Sequence, residues 1–461
     1  MLSLHDPIHR RSFLTIGTLG LGGLSLGSMF AARAASTDSR NLLTGKSVIF
    51  LFQQGGPSQF ETFDPKLAVP DTIRTVTDVV QTRLPGVAFG STMSRLANLA
   101  DKFAVVRSFQ TNNGAHNIHP IVSPDSLNAN IGSLYSRVAG ATRPQTGMPT
   151  NVVLFPDTVD KAVTKGTARG DISATGSLGG GCAPFIPGVG ELQKNMTLRL
   201  PRDRFEDRRY LLAEFDRLNR DVDSAGRMDS QDEVRRQAYQ LLLSGNVANA
   251  FDLTKEDDRT VARYDTGRFV RSDNWEKARR GKAGFYSGHS KSIGKLLLLA
   301  RRLCEAGCGY VTIHCGYDGV WDMHADGENL DMKDGMEAIG TSFDHAVAAF
   351  IEDVEARGLS DKIMLVCTGE MGRTPKLNKN GGRDHWARLA PLLIYGGGVP
   401  GGKIVGQSTS DGGEPATEPF NPKHLISSIL HTVVDPSVLR LMPGTTELAR
   451  LADHPTIAGL F

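Results

Sequence analysis

FDHAVAAFIEDVEARGLSDKIMLVCTGE (343–370) decides the fold class. Phe343, Val347, Phe350, Ile351 and Val354 recur at helical spacing, and Gly358 is a helix stop. KIMLVCT (362–368) follows directly and is apolar at nearly every position, as a strand buried on both faces of a parallel sheet must be. The same kind of run recurs as SVIFLF (47–52), FAVVRSF (103–109), NVVLF (151–155), YVTIHC (310–315) and APLLIYGGG (390–398). Helical patterns lie between them. One has a broad apolar face from Ser290 to Ala306 and stops at Gly307; another covers Lys423–Val433. This alternation predicts an α/β fold, a doubly wound and mostly parallel central sheet flanked by helices.

The chain has 461 residues, a length that does not force two domains, and its 40% hydrophobic content suffices for a sizeable core. Apart from residues 1–34, which carry Arg10, Arg11 and Arg33 against Asp6, the charges balance. Nucleic acid is therefore not an expected partner, nor is an anionic membrane surface. The cysteines are Cys182, Cys304, Cys308, Cys315 and Cys367. Their odd number leaves one without a partner in the chain. Cys304 and Cys308 stand one helical turn apart, and the absence of a CxxC pair excludes a structural zinc finger.

The start of the chain, HRRSFLTIGTLGLGGLSLGSMFAARAAS (9–36), has the form of a twin-arginine leader. Arg10 and Arg11 precede Phe13, Leu14 and a glycine-rich, mildly apolar stretch, and Ala32-Arg33-Ala34 has the small-x-small form of a cleavage site. The expected division is a signal peptide at 1–34 and a single domain at 35–461, exported folded to the periplasm with no stable membrane span after cleavage. Residues 196–280 are dense in Arg, Asp and Glu, with Leu211, Leu212, Phe215 and Leu218 at helical spacing. They read as a charged helical insertion or cap. Residues 166–190 read as a long glycine-rich loop.

Five segments read together resemble one family. They are FLFQQGGPSQFETFDPK (50–66), AFDLTKEDDRTVARYD (250–265), LLLLARRLCEAGCGYVTIHCGYDGVWDMH (296–324), TGEMGRTPKLNKNGGRDHW (368–386) and LLIYGGGVPGGKIVGQS (392–408). The chain resembles domain-of-unknown-function family 1501, of the alkaline phosphatase and sulfatase superfamily, over nearly the whole of 35–461. The resemblance implies metals and a nucleophile at the carboxyl ends of the central strands, where ligand sites of open α/β sheets lie.

Asp322 and His324 follow the strand YVTIHC among Asp318, Asp326 and Glu328, and resemble the superfamily's Asp/His metal motif. Glu370 ends KIMLVCT, where the superfamily holds ligands of a second metal, but Met371 stands in the place of the expected His, and methionine is a poor ligand for a hard or borderline ion. His385 resembles the late His that returns to the first metal. Arg383 could clamp a phosphate or sulfate bidentately, and Arg373 with Thr374 could bind an anion. Gln54 or Gly55 occupies the place of a usual Asp ligand; Glu61 or Asp64 could replace it, and Gly55, Gly56 and Ser58 could bind an anion or only form a turn. The nucleophile region is TNNGAHNIHP (111–120), with Thr111 its one hydroxyl. There His116 and His119 could bind metal, act as acid and base, or line the loop. No CxPxR motif occurs, so a formylglycine sulfatase is not expected.

Two functions follow. The first is an exported hydrolase of phosphate or sulfate esters that uses a divalent metal (zinc, calcium or similar), held by Asp322, His324 and His385 with Glu370, and takes a small anionic ester or a glycan. The second is a binding or scaffold protein that keeps the fold with a degenerate site. For export, the expected outcome of Arg10→Lys with Arg11→Lys is retention of the precursor in the cytoplasm. N-terminal sequencing of exported wild type should start near Ala35.

Overall fold

The computed structural model describes residues 42–163, 168–187, 204, 245–270, 282–314 and 320–461. The expected signal peptide lies outside these residues, as do most of the 196–280 segment, Cys315 and Asp318. Eleven strands occur among the described residues: β1 (Ser47–Phe52), β2 (Val79–Gln81), β3 (Ala88–Gly90), β4 (Phe103–Val106), β5 (Asn151–Leu154), β6 (Tyr310–His314), β7 (Ile363–Thr368), β8 (Gly372–Leu377), β9 (Arg383–Trp386), β10 (Leu392–Gly396) and β11 (Lys403–Val405). Seven of them form the central sheet in the order β11-β4-β10-β7-β1-β6-β5. β1 pairs in parallel with both β6 and β7, β5 with β6 and β11 with β4. β10 alone runs against its neighbours β4 and β7. The sheet is thus mostly parallel, and all six apolar runs of the sequence lie in it.

The two faces of β1 show why its run is continuously apolar. Ile49 and Leu51 enter one core, while Val48, Phe50 and Phe52 enter the other. A strand alternates its side chains between faces, so burial on both sides needs apolar residues throughout. The first core is roofed by the helices Lys282–Glu305 and Thr341–Ala356, the second by Ile131–Ala139 and Pro422–Val433. The helix Thr341–Ala356 stops where expected, with Gly358 at φ +64°. Pro422–Val433 starts at a capping box, Asn421 Oδ1 accepting from Lys423 N at 3.1 Å, with Pro422 at its first position. The described part of 166–190 holds only two short 3-10 turns, Gly176–Leu178 and Gly180–Cys182. Cys182, Cys304 and Cys308 are free and buried, and Cys367 is buried.

GGRDHW lies in a hairpin that the apolar pattern of the sequence does not show. β8 and β9 form an antiparallel hairpin outside the main sheet, with Arg373 opposite His385. Sequence periodicity could not show this, because charged and polar residues fill both strands.

The core also anchors the loop after β6. Trp321 is buried edge-on against Phe343 of the helix Thr341–Ala356 (centroids 5.4 Å, 87°) and against His289 (6.0 Å, 87°). It fixes the backbone just before Asp322. Trp321→Ala is expected to cost about 3–5 kcal/mol of stability in urea unfolding, as large-to-small core changes do.

Candidate metal centre

Parallel strands β1, β4, β6 and β7 deliver their following loops to one edge of the sheet. Asp322 comes from the loop after β6, His116 from the loop after β4 and Glu370 from the end of β7; the β8–β9 hairpin adds His385. These side chains meet around the Asp322 carboxylate. Its Oδ1 accepts from Arg373 Nη2 at 2.8 Å and lies 3.2 Å from His385 Nε2. Its Oδ2 lies 2.9 Å from His324 Nε2, 3.3 Å from Asn329 Nδ2 and 3.0 Å from His116 Nε2. Burial alone would raise this carboxyl, but His116, His324, His385 and the Arg373 guanidinium hold it well below the usual carboxylate range.

His116, Asp322 and His385 each offer one ligand atom, all within 4.8 Å of one another, and they are the one such set among the described residues. His116 Nε2 is buried and close to Asp322 Oδ2, yet makes no aligned hydrogen bond. A buried ring nitrogen held 3.0 Å from a carboxylate without an aligned hydrogen bond, next to a second imidazole, belongs to a donor set that fits a metal ion. The His116 and His385 rings meet edge to face at 4.2 Å. Burial works against charge on His116, but the Asp322 and Glu370 carboxylates beside it outweigh burial and raise it to about 9.

Sequence reasoning placed Asp322, His324, His385 and Glu370 together, and all four lie here, but in different positions. His324 packs behind, its ring 5.5 Å from that of His385, with Nε2 on Asp322 and near Asn329 Nδ2 (3.2 Å). Glu370 is fully buried and turns Oε1 toward His116 Nδ1 (2.7 Å) and Gly55 N (2.8 Å). His116 takes the place facing Asp322. His119 does not join the set; its Nε2 is buried without a hydrogen-bond partner, and burial lowers its pKa.

The expected anion-binding groups need correction. Arg383 is buried over the Phe60 ring, pairs with Glu61 (3.0 Å) and spends its remaining donors on the carbonyls of Ile73, Arg74, Thr374 and Pro375. Arg373 is likewise saturated by Asp322 and the carbonyls of Gly55, Gly56, Trp321 and Arg383. Ser58 donates to Glu61 Oε2. Gly55 gives its N–H to Glu370, so Gly55, Gly56 and Ser58 form a structural turn. The proposed replacement carboxylates also go elsewhere, Glu61 to Arg383 and Asp64 to Lys66 (3.1 Å) and Arg107 (3.4 Å). The physical reason is common to all: backbone carbonyls of irregular loops buried beneath the site need donors, and the arginines supply them.

Gly55 has a second role. At φ +123°, a Cβ added there would meet Trp321 N and Asp322 N at 2.8 Å, so the turn after β1 lies directly on the backbone that carries Asp322. Met371 is buried against Gly56. Gln54, at the end of β1, ties together three segments. Its Oε1 accepts from His314 Nε2 (2.8 Å) and Arg169 N (3.2 Å), and its Nε2 donates to Asn117 O in the His116 loop (3.1 Å). Burial pushes His314 down to about 3, so the ring is neutral. The sequence does not show the His314–Gln54 pair, because its two members stand far apart in the chain, nor the place of Asn329, whose contacts to Asp322 and His324 depend on how the loop folds back.

The chain belongs to the family described as protein of unknown function (DUF1501), which matches residues 45–447. No curated protein matches it. Among solved structures it is similar to the PsFucS1 sulfatase from Pseudoalteromonas sp. (9% identity, 88% of this chain and 70% of that one, TM-score 0.37). It is also similar to the phosphonate monoester hydrolase SpPMH from Silicibacter pomeroyi (11% identity, 84% and 73%, TM-score 0.28) and to the lipoteichoic acid synthase LtaP from Listeria monocytogenes (12% identity, 84% and 72%, TM-score 0.28).

Arg383→Ala should act on stability. It leaves Glu61 buried without its cation, which costs about 3–5 kcal/mol in an equilibrium unfolding experiment. An anion clamp would instead show as an unchanged unfolding midpoint with weakened phosphate or sulfate binding.

Proposed function

We propose that the protein is an exported hydrolase of phosphate or sulfate esters that works with one divalent metal ion. The observation that supports this most is the His116–Asp322–His385 set, whose ligand atoms all lie within 4.8 Å of one another, with the buried Nε2 of His116 turned to Asp322. Those three residues would hold the ion, and Arg373 keeps Asp322 ionised and in place. Two imidazoles and one carboxylate suit zinc and its first-row neighbours better than calcium, which takes oxygen ligands. Such an ion supplies Lewis acidity and positive charge for an ester's anionic oxygens. His385 is about one-third exposed, so the set is open to a substrate on that side. His324, less exposed and hydrogen-bonded to Asp322, is placed to hold or pass a proton near the same point. Among the described residues Thr111 Oγ1 is turned to Asn113 O (3.3 Å) and Ser58 to Glu61, which favours a water over a side-chain hydroxyl as the attacking group. Export through the twin-arginine route belongs to the same reading; among the described residues no helix is long and apolar enough to cross a membrane.

A second reading, a binding protein with a retained metal site, is favoured by the saturation of Arg373 and Arg383, which leaves neither guanidinium to clamp a substrate anion. Turnover decides between the two. In the hydrolase reading, 4-nitrophenyl phosphate or sulfate is cleaved, activity is lost on chelation and it returns with zinc or manganese; metal retention without any turnover puts the binding protein first.

Elemental analysis after dialysis against a mild chelator tests the centre itself. Wild type should hold roughly one ion per chain, as a three-ligand site does. His116→Ala and His385→Ala should each lose it. His454→Ala should not, because His454 packs on His424 (4.6 Å). Uptake also carries a pH signature. A histidine must shed its proton to bind, and His116 stands at about 9 without the ion, so affinity should rise with pH until about 9 and uptake at pH 7 should release protons. Affinity that levels off near 6.5 would mean that His116 is not a ligand.

A further inference from the structure

The geometry points to Glu370 as a positioning residue that makes His116 a metal ligand, rather than a ligand or a general base. This assignment rests on the ion-binding reading of His116, Asp322 and His385. Three observations carry it. Glu370 is fully buried at the end of β7, and its Oε1 is already engaged by Gly55 N at 2.8 Å and His116 Nδ1 at 2.7 Å. Its other oxygen, Oε2, is buried without a partner, and Glu370 is not in the set of ligand atoms that lie within 4.8 Å of one another. The consequence for His116 follows from the inventory of the ring. A carboxylate only accepts, so the hydrogen bond to Glu370 keeps the proton on Nδ1. Nε2 is then the atom left to face Asp322 Oδ2, 3.0 Å away.

The loop that carries His116 needs such a hold. Gly114, Ala115 and Asn117 are exposed, and the loop's other ties to the site are Asn117 O on Gln54 (3.1 Å) and Gly114 O near His385 Nδ1 (3.2 Å). The bond to Glu370 is the hydrogen bond made by Nδ1 of the ring, which otherwise meets Asp322 Oδ2 through Nε2 and the His385 ring edge to face. A carboxylate behind a ligating imidazole fixes its tautomer and raises its basicity, and losing such a partner typically weakens metal affinity about 10–100-fold. Gly55 links the two halves of the device. The residue whose N–H fixes Glu370 is also the one on which the Asp322 backbone rests.

The experiment is zinc titration of the metal-free full-length mature protein in wild type, Glu370→Leu, Glu370→Gln, His116→Ala, His116→Ala/Glu370→Leu and Asp322→Asn. Glu370→Leu removes the acceptor and should weaken zinc about 10–100-fold while keeping the wild-type stoichiometry. Glu370→Gln keeps an acceptor oxygen for Nδ1 and should recover part of that loss. In the His116→Ala background, Glu370→Leu should cost nothing further, because its effect passes through the absent ring. A loss of equal size in both backgrounds would make Glu370 a ligand or a general prop of the fold, and wild-type affinity in both Glu370 variants would show that it does not act on the ion; either overturns the assignment. If Glu370→Leu does not fold, Glu370→Gln with and without His116→Ala carries the same comparison. A readout that needs no metal accompanies it. In selectively 15N-labelled protein the His116 Nδ1 proton should exchange slowly with solvent in wild type and quickly in Glu370→Leu; equal exchange overturns the positioning role. Asp322→Asn separates the two levels: if it binds zinc as wild type does, the ion-binding reading fails, whereas its loss together with unaffected Glu370 variants sinks the Glu370 assignment alone.

Discussion

One buried carboxylate, that of Asp322, sets the terms for everything around it. A charge taken out of water is tolerated only when paired and hydrogen-bonded. Here the Arg373 guanidinium and the His385 imidazole meet its Oδ1, and the His324 and His116 imidazoles meet its Oδ2. Arg373 is itself fully buried and bonds the carbonyls of Gly55, Gly56, Trp321 and Arg383. One carboxylate–guanidinium pair thus joins the turn after β1, the loop after β6 and both strands of the β8–β9 hairpin.

That arrangement divides the labour at the site. The guanidiniums lie beneath as structure, and the imidazoles face the opening. In the hydrolase reading proposed above, positive charge for an anionic substrate would therefore come from the imidazoles and an ion held among them. A divalent ion would take over from the proton on His116 the task of balancing Asp322 and Glu370, which connects metal uptake to the raised pKa of that ring. The same logic explains why Met371 is harmless where it stands. It fills space against Gly56 in a layer that is packed, next to a layer that binds.

The fold was legible because hydrophobic burial leaves a local pattern. SVIFLF and KIMLVCT are apolar at every or nearly every position since both faces of β1 and β7 are covered, and Gly358 marks the end of its helix by its backbone conformation. The gathering of Asp322 and Glu370 was also legible, since residues past parallel strands share one sheet edge, whereas His385 was expected there only from the family resemblance. The β8–β9 hairpin was not, because TPKLNKNGGRDHW carries no alternation of apolar and polar residues.

The sequence by itself determined the architecture, the edge that carries the site and the residue types gathered there. Only the tertiary structure decided which of those residues gather around the Asp322 carboxylate and which stand behind them. Arg383 and Arg373 look like anion clamps in sequence, yet folding commits them to Glu61, Asp322 and buried carbonyls. His116 and His119 are equivalent in the string TNNGAHNIHP, and the approach of Glu370, Asp322 and His385, all remote in the chain, distinguishes them. Burial patterns are written in neighbouring residues, whereas the direction of a polar side chain is set by whichever distant donors and acceptors would otherwise be left unpaired.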